Sequence, residues 1–124
     1  MNILKERLII AYGLNDEEIE KLNLKFKDIC VKPCLLINEN MGVYTLENIL
    51  KEEKLTDSDT KLPEEKVIIF NGFLGVYLQQ AVKRVREVLG SEPILASTTP
   101  DSIKMTLHEL VDHLVKEREY YKKK

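Results

Sequence analysis

No stretch of this chain approaches the ~20 consecutive apolar residues of a membrane-spanning helix. Its opening, Met1 to Arg7, meets charges before any apolar run long enough for a secretion signal. The expected setting is the cytoplasm, with no membrane partner. An excess of one charge is also missing: 19 basic against 21 acidic residues leave a net charge of −2. That balance gives no general pull toward nucleic acid, so nucleic acid is an unlikely partner. Lys83, Arg84 and Arg86 have no interleaved aromatics and read as a solvated face.

Metal-binding and redox residues are sparse. The two cysteines, Cys30 and Cys34, lack the two-residue gap and further ligands of a redox or zinc pair. On one extended strand they would sit roughly 13 Å apart at ~3.3 Å per residue, beyond the ~7 Å reach of a disulfide. They read as free, buried thiols acting as small hydrophobes. The two histidines, His108 and His113, are five apart on a helical stretch and point about 140° apart. Each has a carboxylate four residues away, but solvated helix-face positions account for both, so no metal is expected.

Catalytic signatures are missing too. There is no Gly-x-x-x-x-Gly-Lys loop and no Gly-x-Gly-x-x-Gly after the first strand, so no nucleotide cofactor is implied. Ala11, Tyr12, Phe70 and Asn71 stand where a phosphate-accepting receiver would carry acids. No Ser, His and Asp form a recognisable nucleophile arrangement. The sequence assigns no catalytic residue and leans away from an enzyme.

What is present is a core. The 124 residues are 44% hydrophobic and 32% charged, which fits a single soluble domain over 1–124. The runs Arg7–Tyr12 and Lys66–Asn71 carry no polar alternation, the mark of strands buried on both faces. Each ends at a glycine, Gly13 or Gly72, and leads into a helical pattern. Asn15 caps the first helix, with Asp16, Glu17 and Glu18 in its opening turn. A second strand is expected over Ile29–Ile37 and a fourth over Pro93–Ser97; each contains a proline, which belongs at a sheet edge. Thr45 caps a short helix, with Tyr44 and Ile49 at staple spacing. Thr106 and Glu109 form a capping box for the last helix, whose end, Lys116–Lys124, is expected to fray. The helix after Gly72 carries Leu74, Leu78, Ala81, Val82, Val85 and Leu89 on one side.

These landmarks recur. Leu8–Gly13 lies 59 positions before Val67–Gly72, Pro33–Ile37 lies 60 before Pro93–Ser97, and Thr45-Leu46 lies 61 before Thr106-Leu107. The chain therefore reads as a duplicated β-α-β-α unit, with halves at about 6–53 and 65–117 joined by a charged, solvated connector at 51–65. Right-handed crossovers then favour an α/β fold with a four-stranded, mainly parallel open sheet in the order 2-1-3-4. Helices cover both faces, and the first and third crossover helices fall on opposite sides. The proline-led strands take the edges. This flavodoxin-like order, shortened to four strands, is preferred to a split ferredoxin-like arrangement.

In such a sheet a ligand binds where the strand order reverses, outside the carboxyl ends of strands one and three. The candidate ligand-binding residues are Gly13, Asn15, Asn71 and Gly72, with Thr98, Thr99 and Ser102 from the loop after strand four.

Ala96 through Glu119 resembles small bacterial proteins grouped as domain of unknown function 3783. Ala96, Thr99-Pro100, Thr106-Leu107, Leu110 and Leu114 carry the likeness, with Ile68–Gly72 a looser match. Ser102 stands where that pattern has an asparagine, and Met105 where it has a tryptophan. The resemblance implies no activity. The residues support two functional expectations. The first is a non-enzymatic binding or regulatory module whose partner is a second copy, as a homodimer, or another protein. The second is a small-ligand binder or enzyme using the strand-end crevice.

Overall fold

The computed structural model of the chain describes residues 3–122. Its strands are β1 (Leu8–Tyr12), β2 (Leu35–Ile37), β3 (Val67–Asn71) and β4 (Ile94–Ser97). The helices α1 (Asp16–Phe26), α2 (Leu46–Leu50), α3 (Val76–Leu89) and α4 (Leu107–Lys122) alternate with them. The sheet order is β2-β1-β3-β4, as the sequence leads one to expect, with the proline-led strands at the edges. All residues of β1 and β3 are buried, as two-faced burial requires.

The sheet is mainly parallel, as expected, but strands one and three run in opposite directions, contrary to the expected crossover between them. β1 pairs with β2 and β3 with β4 in parallel, but β1 and β3 are antiparallel. The physical reason lies in the connection between the halves. The five-residue α2 is about 7.5 Å long at ~1.5 Å per residue, roughly half the length of a five-residue strand at ~3.3 Å per residue. After α2 the chain stays at the end of the sheet where β2 finishes. Ser58 and Leu62 donate backbone bonds to Asn40 and Glu39 (both 2.8 Å), and β3 starts from there, with Val67 opposite Tyr12.

Antiparallel pairing also changes which helices share a face. Turning one parallel unit onto the other about an axis normal to the sheet keeps like helices on the same side. α1 and α3 therefore pack together over Ile9, Ala11, Ile68 and Phe70, while α2 and α4 cover Leu8, Ile10, Tyr12, Val67 and Ile69. Ile10 faces Ile69 at the middle of the seam, and an offset of 59 exchanges Leu8↔Asn71 with Val67↔Tyr12. On the α2/α4 side, Thr45 bridges Thr106, and the Leu107 amide donates to the Tyr44 carbonyl (2.7 Å).

Three elements are shorter or longer than the sequence implied. β2 covers Leu35–Ile37 only, because residues 27–34 leave α1 through turns. Cys30 and Cys34 are thus brought beside one small space under Leu22 and Phe26, as free thiols. Burial pushes the Cys30 thiol up to about 11 and raises the Cys34 thiol as well, so both stay protonated at neutral pH. α3 begins at Val76, leaving Leu74 outside it. α4 continues through Lys122 rather than fraying from Lys116; Lys123 and Lys124 lie outside the described residues.

The connector is docked as well as solvated. The Tyr44 hydroxyl donates to the Leu55 carbonyl (2.9 Å) and accepts from its amide (2.8 Å), and Leu62 is buried. Ile69 is buried at the antiparallel seam in one cluster with residues of α2 and α4, so its truncation is expected to leave a cavity. Ile69→Ala is expected to lower unfolding free energy by about 3 kcal/mol in urea denaturation with the slope unchanged.

Candidate functional site

The antiparallel seam divides the sequence-derived site between the two ends of the sheet. Tyr12 lies opposite Val67 and Leu8 opposite Asn71, so the carboxyl ends of β1 and β3 point away from each other. Gly13 and Asn15 stand at one end; Asn71, Gly72, Thr98, Thr99 and Ser102 stand at the other. The single crevice expected to unite Gly13 and Asn15 with Asn71 and Gly72 is not formed.

At the Asn71 end the polar groups are engaged within the fold. Asn71 is fully buried. Its Nδ2 donates to the carbonyls of Ile3 and Glu6 (2.8 Å each), and its Oδ1 accepts from the Thr98 hydroxyl (2.8 Å). This one side chain ties the N-terminal turn, β3 and the loop after β4 together. Gly72, at φ +80°, lies against the Glu6 carbonyl, where a Cβ would collide. Thr99 and Ser102 satisfy each other: each amide donates to the other's hydroxyl at 2.9 Å. These hydroxyls thus close a turn.

At the other end the capping residues are likewise engaged. The Asn15 Oδ1 accepts from the Glu18 amide (2.8 Å), and Glu18 Oε1 accepts from the Asn15 amide (3.0 Å). Asn15 therefore caps α1, and its box engages the amides of Asn15 and Glu18. Lys66 Nζ sits between Glu18 (2.9 Å) and Glu92 (3.0 Å). Gly13, at φ +82°, passes under the Glu65 carbonyl, where any Cβ would strike it. This close approach lets the start of β3 lie across the end of β1.

An open groove of about 770 Å³ lies at this end, within the size range of roughly 300–1,000 Å³ found for ligand sites. Tyr12, Leu14 and Ile37 give it apolar lining; Asn38, Glu39, Glu64, Glu65, Lys66 and Glu92 give it a polar, mostly acidic one. Glu39 pairs with Lys61 (3.3 Å) and Glu65 with Arg118 through two bonds (2.7 and 3.0 Å). The Tyr12 hydroxyl donates to the Pro63 carbonyl (2.7 Å). Burial raises its pKa, and the carboxylates of Glu39, Glu64 and Glu65 raise it further.

Of the sequence-derived candidates only Gly13 lines this groove. The acids come from three separated stretches, at 39, 64–65 and 92. Only Glu64-Glu65 directly before a buried strand marks them in the sequence. His108 is also more engaged than a solvated helix position. Its ring lies against Gly42, its amide donates to the Gly42 carbonyl (3.0 Å), and Nε2 is 3.1 Å from the Ser58 hydroxyl, so it helps dock the connector. The Thr106–Glu109 box forms as the spacing predicts, with amide-to-side-chain bonds of 3.1 and 3.2 Å.

Residues 66–121, from the start of β3 to the last turn of α4, match the family model of a domain of unknown function (DUF3783). No curated protein and no solved structure matches the chain. Among the described residues no helix is long and apolar enough to cross a membrane, and no three metal-ligating side chains cluster.

Two measurements test these contacts. Asn71→Ala removes a fully buried side chain that partners two carbonyls and a hydroxyl, and is expected to cost about 2–4 kcal/mol in chemical denaturation. The second is the acid limb of stability. Hydrogen bonding from Arg118 holds the Glu65 carboxyl below the ordinary 4.5. Its contribution is therefore full above that value and is lost as pH falls through the lower, folded one. The stability gap between the native chain and Arg118→Met should be widest near neutral pH and shrink as the pH falls below 4.5. A gap that stays constant with pH would contradict the pairing.

Proposed function

We propose that the protein is a non-enzymatic, cytoplasmic binding module that works through the groove at the carboxyl ends of β1 and β2, with a protein as its partner. The observation that carries this reading is the combination of an open, apolar-lined groove with an acidic rim. Such a lining suits a segment that presents apolar side chains next to positive charge. The absence of catalytic work is supported by the bonding of the polar candidates: Asn71, Thr98, Thr99, Ser102 and Asn15 all direct their side chains at this chain's own groups. Duplication of one β-α-β-α unit accounts for the self-consistent seam register, and the groove lies where the two halves meet.

Calorimetric titration with a short peptide of alternating leucine and arginine tests the reading. The peptide is expected to bind the native chain, to be displaced by salt, and to bind Glu64→Lys/Glu92→Lys at least about tenfold more weakly. Equal affinity of both chains for this peptide, or for its leucine–glutamate counterpart, would remove the groove as the site.

A further inference from the structure

The end of the sheet opposite the groove carries an apolar tip. Leu74 is 79%, Val76 57% and Tyr77 51% exposed, within four consecutive residues. The tip is anchored from behind by a packed ring. Phe73 behind it is buried and meets Phe26 and Phe70 edge-on, with centroids at 6.1 and 6.0 Å, and Gly75 turns the chain at φ +56°. Exposed side chains held by a fixed backbone lose little freedom on association, which is how binding anchors are built.

The tip is also electropositive. The Arg7 guanidinium lies 4.4 Å from the centre of the Tyr77 ring. α3 starts at this point with no side chain capping it and no acid in its first turn, whereas α1 and α2 each open with a capping box and acidic residues. Its N-terminal partial charge is left unneutralised.

We infer that copies of this chain associate head to tail: the Leu74–Tyr77 tip of one copy seats in the groove beside Tyr12, Leu14 and Ile37 of the next. Arg7 and the start of α3 then face the acidic rim, where Glu39 and Glu92 already meet Lys61 and Lys66 and Glu64 makes no ion pair among the described residues. This inference rests on the proposed binding role of the groove and names its occupant. Charge selects this pairing over the symmetric ones. Two tips facing each other would oppose Arg7 to Arg7 and one positive helix end to another, and two grooves would oppose their acids. Because tip and groove lie at opposite ends of one sheet, the contact is heterologous and propagates as a ring or an open chain.

Light scattering on a size-exclusion column and sedimentation velocity test this. The native chain should grow with concentration past the mass of a dimer, and less so at high salt. Leu74→Glu and Glu64→Lys/Glu92→Lys, each verified as folded by circular dichroism because the second also breaks the Glu92–Lys66 pair, should each be monomeric, with association weakened about thirtyfold or more, the loss typical of a central anchor. Mixed together, they should form one-to-one dimers and nothing larger, because one retains an intact groove and the other an intact tip. A native chain that stays monomeric, or a dimer indifferent to both variants, overturns the inference. If the native chain stays monomeric yet the leucine–arginine peptide still binds it and not the groove variant, the groove reading stands and only the second copy as occupant fails.

Discussion

The antiparallel pairing of β1 with β3 governs the rest of the molecule. It sets Ile10 against Ile69 at the centre and makes the two outer pairings parallel extensions of a two-fold arrangement. One choice of direction then fixes which helices share a face. It separates the strand ends that an all-parallel sheet would bring together. It also leaves one end of the sheet lined by Tyr12, Ile37 and Lys66, and the other by Asn71 and the turn at Gly72.

Two glycines and one asparagine make that seam closable. Gly13 and Gly72 occupy corresponding positions after β1 and β3, and each lies beneath a carbonyl of the segment that leads into the opposing strand, Glu65 or Glu6. The two ends differ in the residue that precedes each glycine. At one end Asn71 fills its surroundings with three bonds. At the other Tyr12 sends a single bond to Pro63, and the remaining space is the groove. The difference between a sealed end and an open one therefore comes down to which side chain terminates each central strand.

Much of this was legible in the residues. Unbroken apolar runs identified β1 and β3 as central, and Pro33 and Pro93 identified the edges, because proline lacks the donor an inner strand needs. Thr45, Asn15 and Thr106 with Glu109 announced three helix starts through bonds that span only three residues. The candidate site was legible in composition but not in place. Thr98, Thr99 and Ser102 look like ligand contacts by residue type alone, and only their geometry shows each hydroxyl already engaged. The groove acids were illegible because positions 39, 64–65 and 92 meet only after folding.

The sequence by itself determined the elements, the strand order, the edges and the caps, since each depends on local bonding or on the number of faces a residue must bury. Only the tertiary structure decided the direction of the second half relative to the first. Burial on both faces is the same for a strand and its reverse, so the apolar runs of β1 and β3 carry no information on it. That direction is set by where a short α2 and a docked connector deliver Lys66, through bonds from Tyr12, Tyr44, Glu39 and Asn40 to residues up to some fifty positions away.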